Sequence, residues 1–96
     1  MNNKLTADER RHLHRIKSLP CSVCNAPPPS DAHHIKQGLQ YTCVALCYDC
    51  HRGTMGWHGT KALWRIRKMN ELDALNETIR RLLEDGLPIE QDKKIF

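Results

Sequence analysis

Ninety-six residues with five aromatics allow one domain with a modest core, and a core of that size often needs a metal or disulfide staple. No run approaches the ~18 apolar residues of a membrane helix, and the opening MNNKLTADERR does not read as a signal peptide. The net charge of +4 is split, with eleven Lys and Arg against four Asp and Glu over residues 1–70 (+7) and four against seven over residues 71–96 (−3), a polarity suited to a polyanion docked on one side.

Thr6-x-x-Glu9 predicts a capping box that opens a helix from Ala7 to Ser18. Leu13, Ile16 and Leu19 are expected to face inward, and Arg10, Arg11, Arg15 and Lys17 make residues 1–19 a basic segment. His12 and His14 are two apart, share no helix face, and are expected to be exposed. Pro20 stops the helix before Cys21.

Cys21-Ser22-Val23-Cys24 is a compact knuckle, followed by a stiff linker with Pro27, Pro28 and Pro29. Asp31 to Lys36 reads as a short strand, Gln37-Gly38 as a turn, and Tyr41 to Leu46 as a second strand antiparallel to the first. Cys47 to Cys50 is a second knuckle, and Arg52 to Gly59, with three glycines, is an irregular loop.

Thr60 is expected to cap a helix running to about Met69, with Leu63, Trp64 and Ile66 packed. Asn70 with Asp73 signals a fresh N-cap, one continuous helix being the alternative. In the last helix, residues 70–86, Leu72, Leu75, Ile79, Leu82 and Leu83 form the expected buried stripe, and Gly86 the stop. Residues 87–96 read as a tail. The pattern as a whole predicts an α+β domain.

Two constellations carry chemistry. The first is Cys21-x₂-Cys24-x₂₂-Cys47-x₂-Cys50. A two-residue spacer lets both sulfurs of a pair reach one ion, and two pairs complete the tetrahedral shell of a closed, structural zinc site. Two such pairs fit a metal in a reducing compartment, hence the cytoplasm, better than disulfides. Cys43 is the odd cysteine and alternates with Tyr41 and Ala45 as a small packed residue. The second is His33, His34, His51 and His58, four of the six histidines, interleaved with the second knuckle. Hydrolysis of a phosphodiester needs a group that deprotonates water near neutral pH, a divalent ion on a phosphate oxygen, and a cation that holds the phosphate.

Asp31-Ala-His-His-Ile followed by Leu-Cys-x-x-Cys-His resembles the HNH, or His-Me finger, nucleases, and is most like the phage recombination-enhancement (Ref-type) HNH nucleases. AHHI, ALCYDCHRG, GWHG, the tryptophan-bearing helix and ELDALNETI carry the likeness, which covers Pro20 to Leu83. It implies a single HNH-type domain over residues 1–96. Within it a small zinc-stapled ββα-metal core, about residues 20–69, lies between N-terminal and C-terminal helices.

The implied activity is a metal-dependent DNA endonuclease with a structural Zn²⁺ and a catalytic Mg²⁺ or Mn²⁺. The products would carry 5′-phosphate and 3′-hydroxyl ends. The likeness implies action on single- or double-stranded DNA in the cytoplasm of a bacterial or phage-infected host cell, with a recombinase filament as a partner and no membrane.

Matched residue by residue, His34 takes the place of the general base, and His33 and His51 those of ligands of the catalytic ion. His58 is a candidate for a further ligand or a phosphate contact. Arg52 is the candidate for the scissile phosphate, and Lys61, Arg65 and Lys68 for the rest of the backbone. Two features depart from the pattern. Strand alternation sends His33 and His34 to opposite faces unless the strand ends or bulges there. The middle Asn is absent, so Gln37, Gln40 or Thr42 has to fill its place. The other readings of the chain are a non-catalytic zinc-ribbon module that binds nucleic acid, and a zinc-stapled adaptor that docks through its last helix.

Overall fold

The computed structural model describes residues 4–85 as a small α+β assembly of four helices and one two-stranded sheet. Helix α1 (Ala7–Lys17) starts on the capping box, with Thr6 Oγ1 accepting from Glu9 N at 3.0 Å and Glu9 Oε1 accepting from Thr6 N at 2.8 Å. Ile16 and Leu19 are buried, and Leu13 is half-buried. His12 differs from expectation: it is half-buried, its ring 4.9 Å from that of Tyr41. Tyr41 comes from beyond the strand turn, so no spacing within α1 signals the contact.

Strands β1 (Asp31–His34) and β2 (Cys43–Leu46) pair antiparallel, with Asp31 opposite Leu46 and His34 opposite Cys43. Both are shorter than their β-rich runs. Beyond His34 one bond remains, Ile35 N to Thr42 O at 3.3 Å, and the chain then turns through Gly38 at φ +92°.

Period-2 alternation divides β2 between two core clusters. Val44 and Leu46 join Cys21, Cys50, Trp64 and Ala74. Cys43 and Ala45 join Ile16, Leu19 and Leu82. Covered on both sides, β2 is buried along its whole length. Each large apolar side chain in these clusters contributes about 1.5–3 kcal/mol of hydrophobic stabilisation.

Helix α2 (Tyr48–His51) is one turn long. Helix α3 (Ala62–Arg67) begins later than expected: Lys61, not Thr60, sits at its N-cap, with φ +65°. Trp64 is buried, but Ile66 is 70% exposed, because six residues cannot bury more than one face. Lys68, at φ +57°, ends α3 and so excludes a continuous helix. Asn70 Oδ1 then accepts from Asp73 N at 2.9 Å, and Asp73 Oδ2 from Asn70 N at 3.0 Å, which starts α4 (Glu71–Asp85).

The expected leucine stripe of α4 holds at Leu82 and in part at Leu75, which packs half-buried against the core, and is corrected elsewhere. Leu72, Ile79 and Leu83 are exposed, and the buried face is Ala74, Thr78 and Leu82. Small residues at 74 and 78 let the helix approach β2 closely. The Thr78 hydroxyl donates to Ala74 O at 2.9 Å and accepts from Ala45 N at 3.3 Å, with Ser22 Oγ at 2.7 Å filling its remaining acceptor site. Arg81 donates to Cys21 O at 3.1 Å, tying the same helix to the first knuckle. The Gly86 stop and the tail over residues 87–96 lie outside the described residues. Among the described residues no helix is long and apolar enough to cross a membrane.

Candidate functional site

The first knuckle closes through Asn25, whose φ of +66° lets its N–H reach Cys21 O at 2.9 Å. The amides of Val23 and Cys24 point at Cys21 Sγ, at 3.4 and 3.5 Å. In the second knuckle Cys47 Sγ accepts from Cys50 N at 3.4 Å and so caps α2. The four sulfurs lie within 4.8 Å of one another, and Cys24 Sγ is 3.6 Å from Cys47 Sγ. This cluster can hold a structural metal such as zinc.

Its electrostatics ask for a cation. Burial pushes the Cys47 thiol up to about 11 and Cys50 higher still, and negative charge on Cys21 pushes both further. Cys21 moves the other way: burial raises it, but the amides of Cys24, Cys47 and Val23 outweigh burial and hold it below the ordinary thiol range. Cys43 lies outside the cluster, 1% exposed, and burial alone raises its thiol to about 11. It is a packed residue, as the alternation implied.

The second cluster is built by three elements. β1 supplies His33, the end of α2 supplies His51, and the following loop supplies His58. That loop folds back on α2: Trp57 N donates to Cys50 O at 2.8 Å and His58 N to His51 O at 3.0 Å. Gly56 makes the fold-back possible, since a Cβ there would stand 2.4 Å from Asp49 O. Trp64 Nε1 also donates to Cys50 O, at 2.8 Å, so α3 braces the same backbone.

One nitrogen from each of His33, His51 and His58 lies within 4.8 Å of the others. His33 and His51 are buried and His58 is exposed. Asp31 Oδ2 accepts from His51 Nδ1 at 2.9 Å, which leaves Nε2 of His51 as its lone-pair nitrogen. Glu71 Oε2 lies 2.6 Å from His33 Nε2. Burial holds His51 below the ordinary histidine range, helped by His33 and His58 and partly offset by the hydrogen bond to Asp31. His51 is therefore neutral near pH 7, the form that binds a metal.

His34 belongs to neither cluster but lines the same cavity, of about 470 Å³, with His33, His51, His58, Ala32, Gln37 and Arg52. The alternation rule does not separate His33 from His34 here, because β1 ends at His34 and the chain bends away. His34 Nε2 is 2.7 Å from Gln40 Oε1, so of the three candidates for the absent Asn, Gln40 touches the histidine.

Arg52 is exposed at the rim, its Nε 3.7 Å from Asp31 Oδ2. Lys61 Nζ lies 4.8 Å from the centroid of the Trp57 ring, which packs 6.2 Å from His33. Arg65 and Lys68 are exposed but do not line the cavity. A larger groove, about 710 Å³, runs along α4 past Met69, Leu72, Leu75 and Ile79, away from both clusters.

Sequence reading missed the role of Glu71 and took Asp31 only as the start of a motif. Both act by hydrogen bonding across the fold, and only the strand pairing and the return of α4 reveal their partners. Comparisons with protein-family models, with curated proteins and with solved structures found no match, so the functional reading rests on the residues and their geometry.

Proposed function

We propose that the chain is a metal-dependent HNH endonuclease that hydrolyses DNA phosphodiester bonds. One observation carries the reading: three histidine donors within 4.8 Å share a cavity with a fourth histidine outside the donor set. Ligands and a separate base are the two kinds of group that metal-assisted hydrolysis requires. The order β1, β2, α2, with histidines at the end of β1 and the end of α2, supports the ββα-metal reading of the core. The four thiols fit zinc as its staple.

His33, His51 and His58 would hold the catalytic ion. Three imidazoles are a softer set than the oxygen shell Mg²⁺ demands, so of the two expected cations Mn²⁺ fits better. When bound, such an ion supplies positive charge at a phosphate oxygen and at the leaving oxygen. His34 takes a proton from water at Nδ1, since its Nε2–H is engaged by Gln40. The resulting hydroxide attacks phosphorus as the P–O3′ bond breaks, the leaving 3′-oxygen takes a proton from solvent, and the ends are the 5′-phosphate and 3′-hydroxyl that the resemblance to HNH nucleases implies. Arg52, exposed at the rim beside Asp31, holds a phosphate oxygen. Lys61, Arg65 and Lys68 carry flanking phosphates. The same resemblance makes a recombinase filament the partner and the cytoplasm of a bacterial or phage-infected cell the setting.

Plasmid and single-strand cleavage with Mn²⁺ or Mg²⁺ tests this. His34→Ala should keep its zinc and its DNA binding and lose a factor of ~10²–10⁴ in rate. Cleavage unchanged in His34→Ala would refute the base. Wild type that binds DNA but cuts neither form with either ion would make the protein a zinc-ribbon binding module.

A further inference from the structure

We propose that Glu71 is a positioning residue of the histidine site, fixing the tautomer of His33 and making the seating of α4 a condition of ion binding. This rests on the reading of His33, His51 and His58 as an ion site. A carboxylate only accepts, so the 2.6 Å contact of Glu71 Oε2 with His33 Nε2 puts the imidazole proton on Nε2. Nδ1 is then the lone-pair nitrogen of His33, and ring rotation is blocked by the same bond. The side chains are 4% exposed for His33 and 24% for Glu71, so water competes weakly for either.

Both buried histidines of the cluster thus carry a carboxylate on one nitrogen, Asp31 for His51 and Glu71 for His33. Such partners set which nitrogen ligates, and removing one typically costs 10–100-fold in metal affinity. Their origins differ. Asp31 lies on β1 and reaches His51 at the end of α2, 20 positions on, whereas Glu71 arrives from the first turn of α4, 38 positions from His33. That turn is held by the reciprocal Asn70–Asp73 cap, and the helix behind it by Ala74 and Thr78. The C-terminal helix therefore completes a site whose histidines all precede it.

The test uses full-length, zinc-loaded protein at about pH 8, above the histidine range. Imidazole ¹⁵N–¹H spectra, taken without a second ion, should show His33 protonated at Nε2 in wild type and in Glu71→Gln, which keeps an acceptor oxygen. Glu71→Ala should lose that single tautomer. Mn²⁺ binding should weaken roughly tenfold or more in Glu71→Ala and less in Glu71→Gln. Unchanged circular dichroism and zinc content would show that the fold is intact. An unaltered His33 tautomer, or equal Mn²⁺ affinity in wild type and Glu71→Ala, overturns the role of Glu71 alone. Wild type that takes up no Mn²⁺ beyond its zinc overturns the ion site and this proposal together.

Discussion

Gln40 Oε1 lies 2.7 Å from His34 Nε2, across the turn that joins the two strands. An amide oxygen only accepts, so the contact fixes the ring and leaves Nδ1 as the lone-pair nitrogen of His34, which lines the cavity. Gln40→Ala should slow cleavage by roughly fivefold, the equivalent of one neutral hydrogen bond at about 1 kcal/mol. That is a smaller loss than His34→Ala. Rates measured on one plasmid substrate at fixed Mn²⁺ check it, and a wild-type rate in Gln40→Ala would show that His34 is held by other means.

The thiol cluster makes a sharper claim. Zinc at four thiolates is worth on the order of 10 kcal/mol, as much as the whole stability of a small domain. Cys24→Ala should therefore lose zinc and unfold. Cys43→Ala should keep about one zinc per chain and lose only about 1 kcal/mol of packing. Metal analysis and thermal melts of the two variants decide it, and a folded, zinc-free Cys24→Ala protein would sink the assignment.

Much of this architecture was legible in advance, for local reasons. The capping box at Thr6 and Glu9, the period-2 run ending at Leu46 and the two knuckles each depend on residues a few positions apart. What could not be read depends on depth of approach. In α4 the expected stripe of Leu72, Leu75, Ile79, Leu82 and Leu83 is the more apolar, and Ala74-Thr78-Leu82 is an equally regular stripe that shares Leu82 with it. The stripe with Ala74 and Thr78 is the buried one, and Thr78 there satisfies Ala45 N. The site followed the same division. The histidines were visible as a cluster, whereas the acceptors that aim them, Asp31, Gln40 and Glu71, are recognisable only once the partners meet.

DNA affinity should fall steeply with salt, because each neutralised phosphate releases a counterion. Arg65 and Lys68 are exposed, and Arg65 spends one donor on Thr60 O at 2.8 Å. Reversing both to Glu should weaken binding to all sequences alike and flatten the salt slope by roughly two phosphates' worth. Filter binding at two or three ionic strengths checks it, and a slope equal to wild type would place the DNA on another face.

The acid limb of stability should carry a signature of Glu77. Its carboxyl is held below the ordinary range by hydrogen bonds from Arg80, opposed by slight burial and aided by Arg81. A depressed carboxyl stabilises the fold above its unfolded pKa of ~4.3, and that contribution is lost as pH falls through the lower, folded value. Glu77→Gln should therefore be less stable than wild type at pH 7 by about 0.5–1 kcal/mol, the difference fading below about pH 4. Urea melts at the two pH values test this, and a difference that grows towards acid would have the wrong sign.

Cys47 uses one sulfur twice: it belongs to the thiol cluster and it caps the single turn that carries Cys50 and, next in line, His51. The two clusters thus share one turn, and an ion at the thiols would stiffen the backbone that carries His51. With the thiols unligated, that turn would still be tied by Trp57 and Trp64 on Cys50 O and by Asp31 on His51, so zinc would tighten, rather than create, the place from which His51 meets His33 and His58. A chelator selective for the thiols would then weaken ion uptake at imidazoles it never touches. In a cell, zinc supply during synthesis would then bear on how firmly the other ion is held.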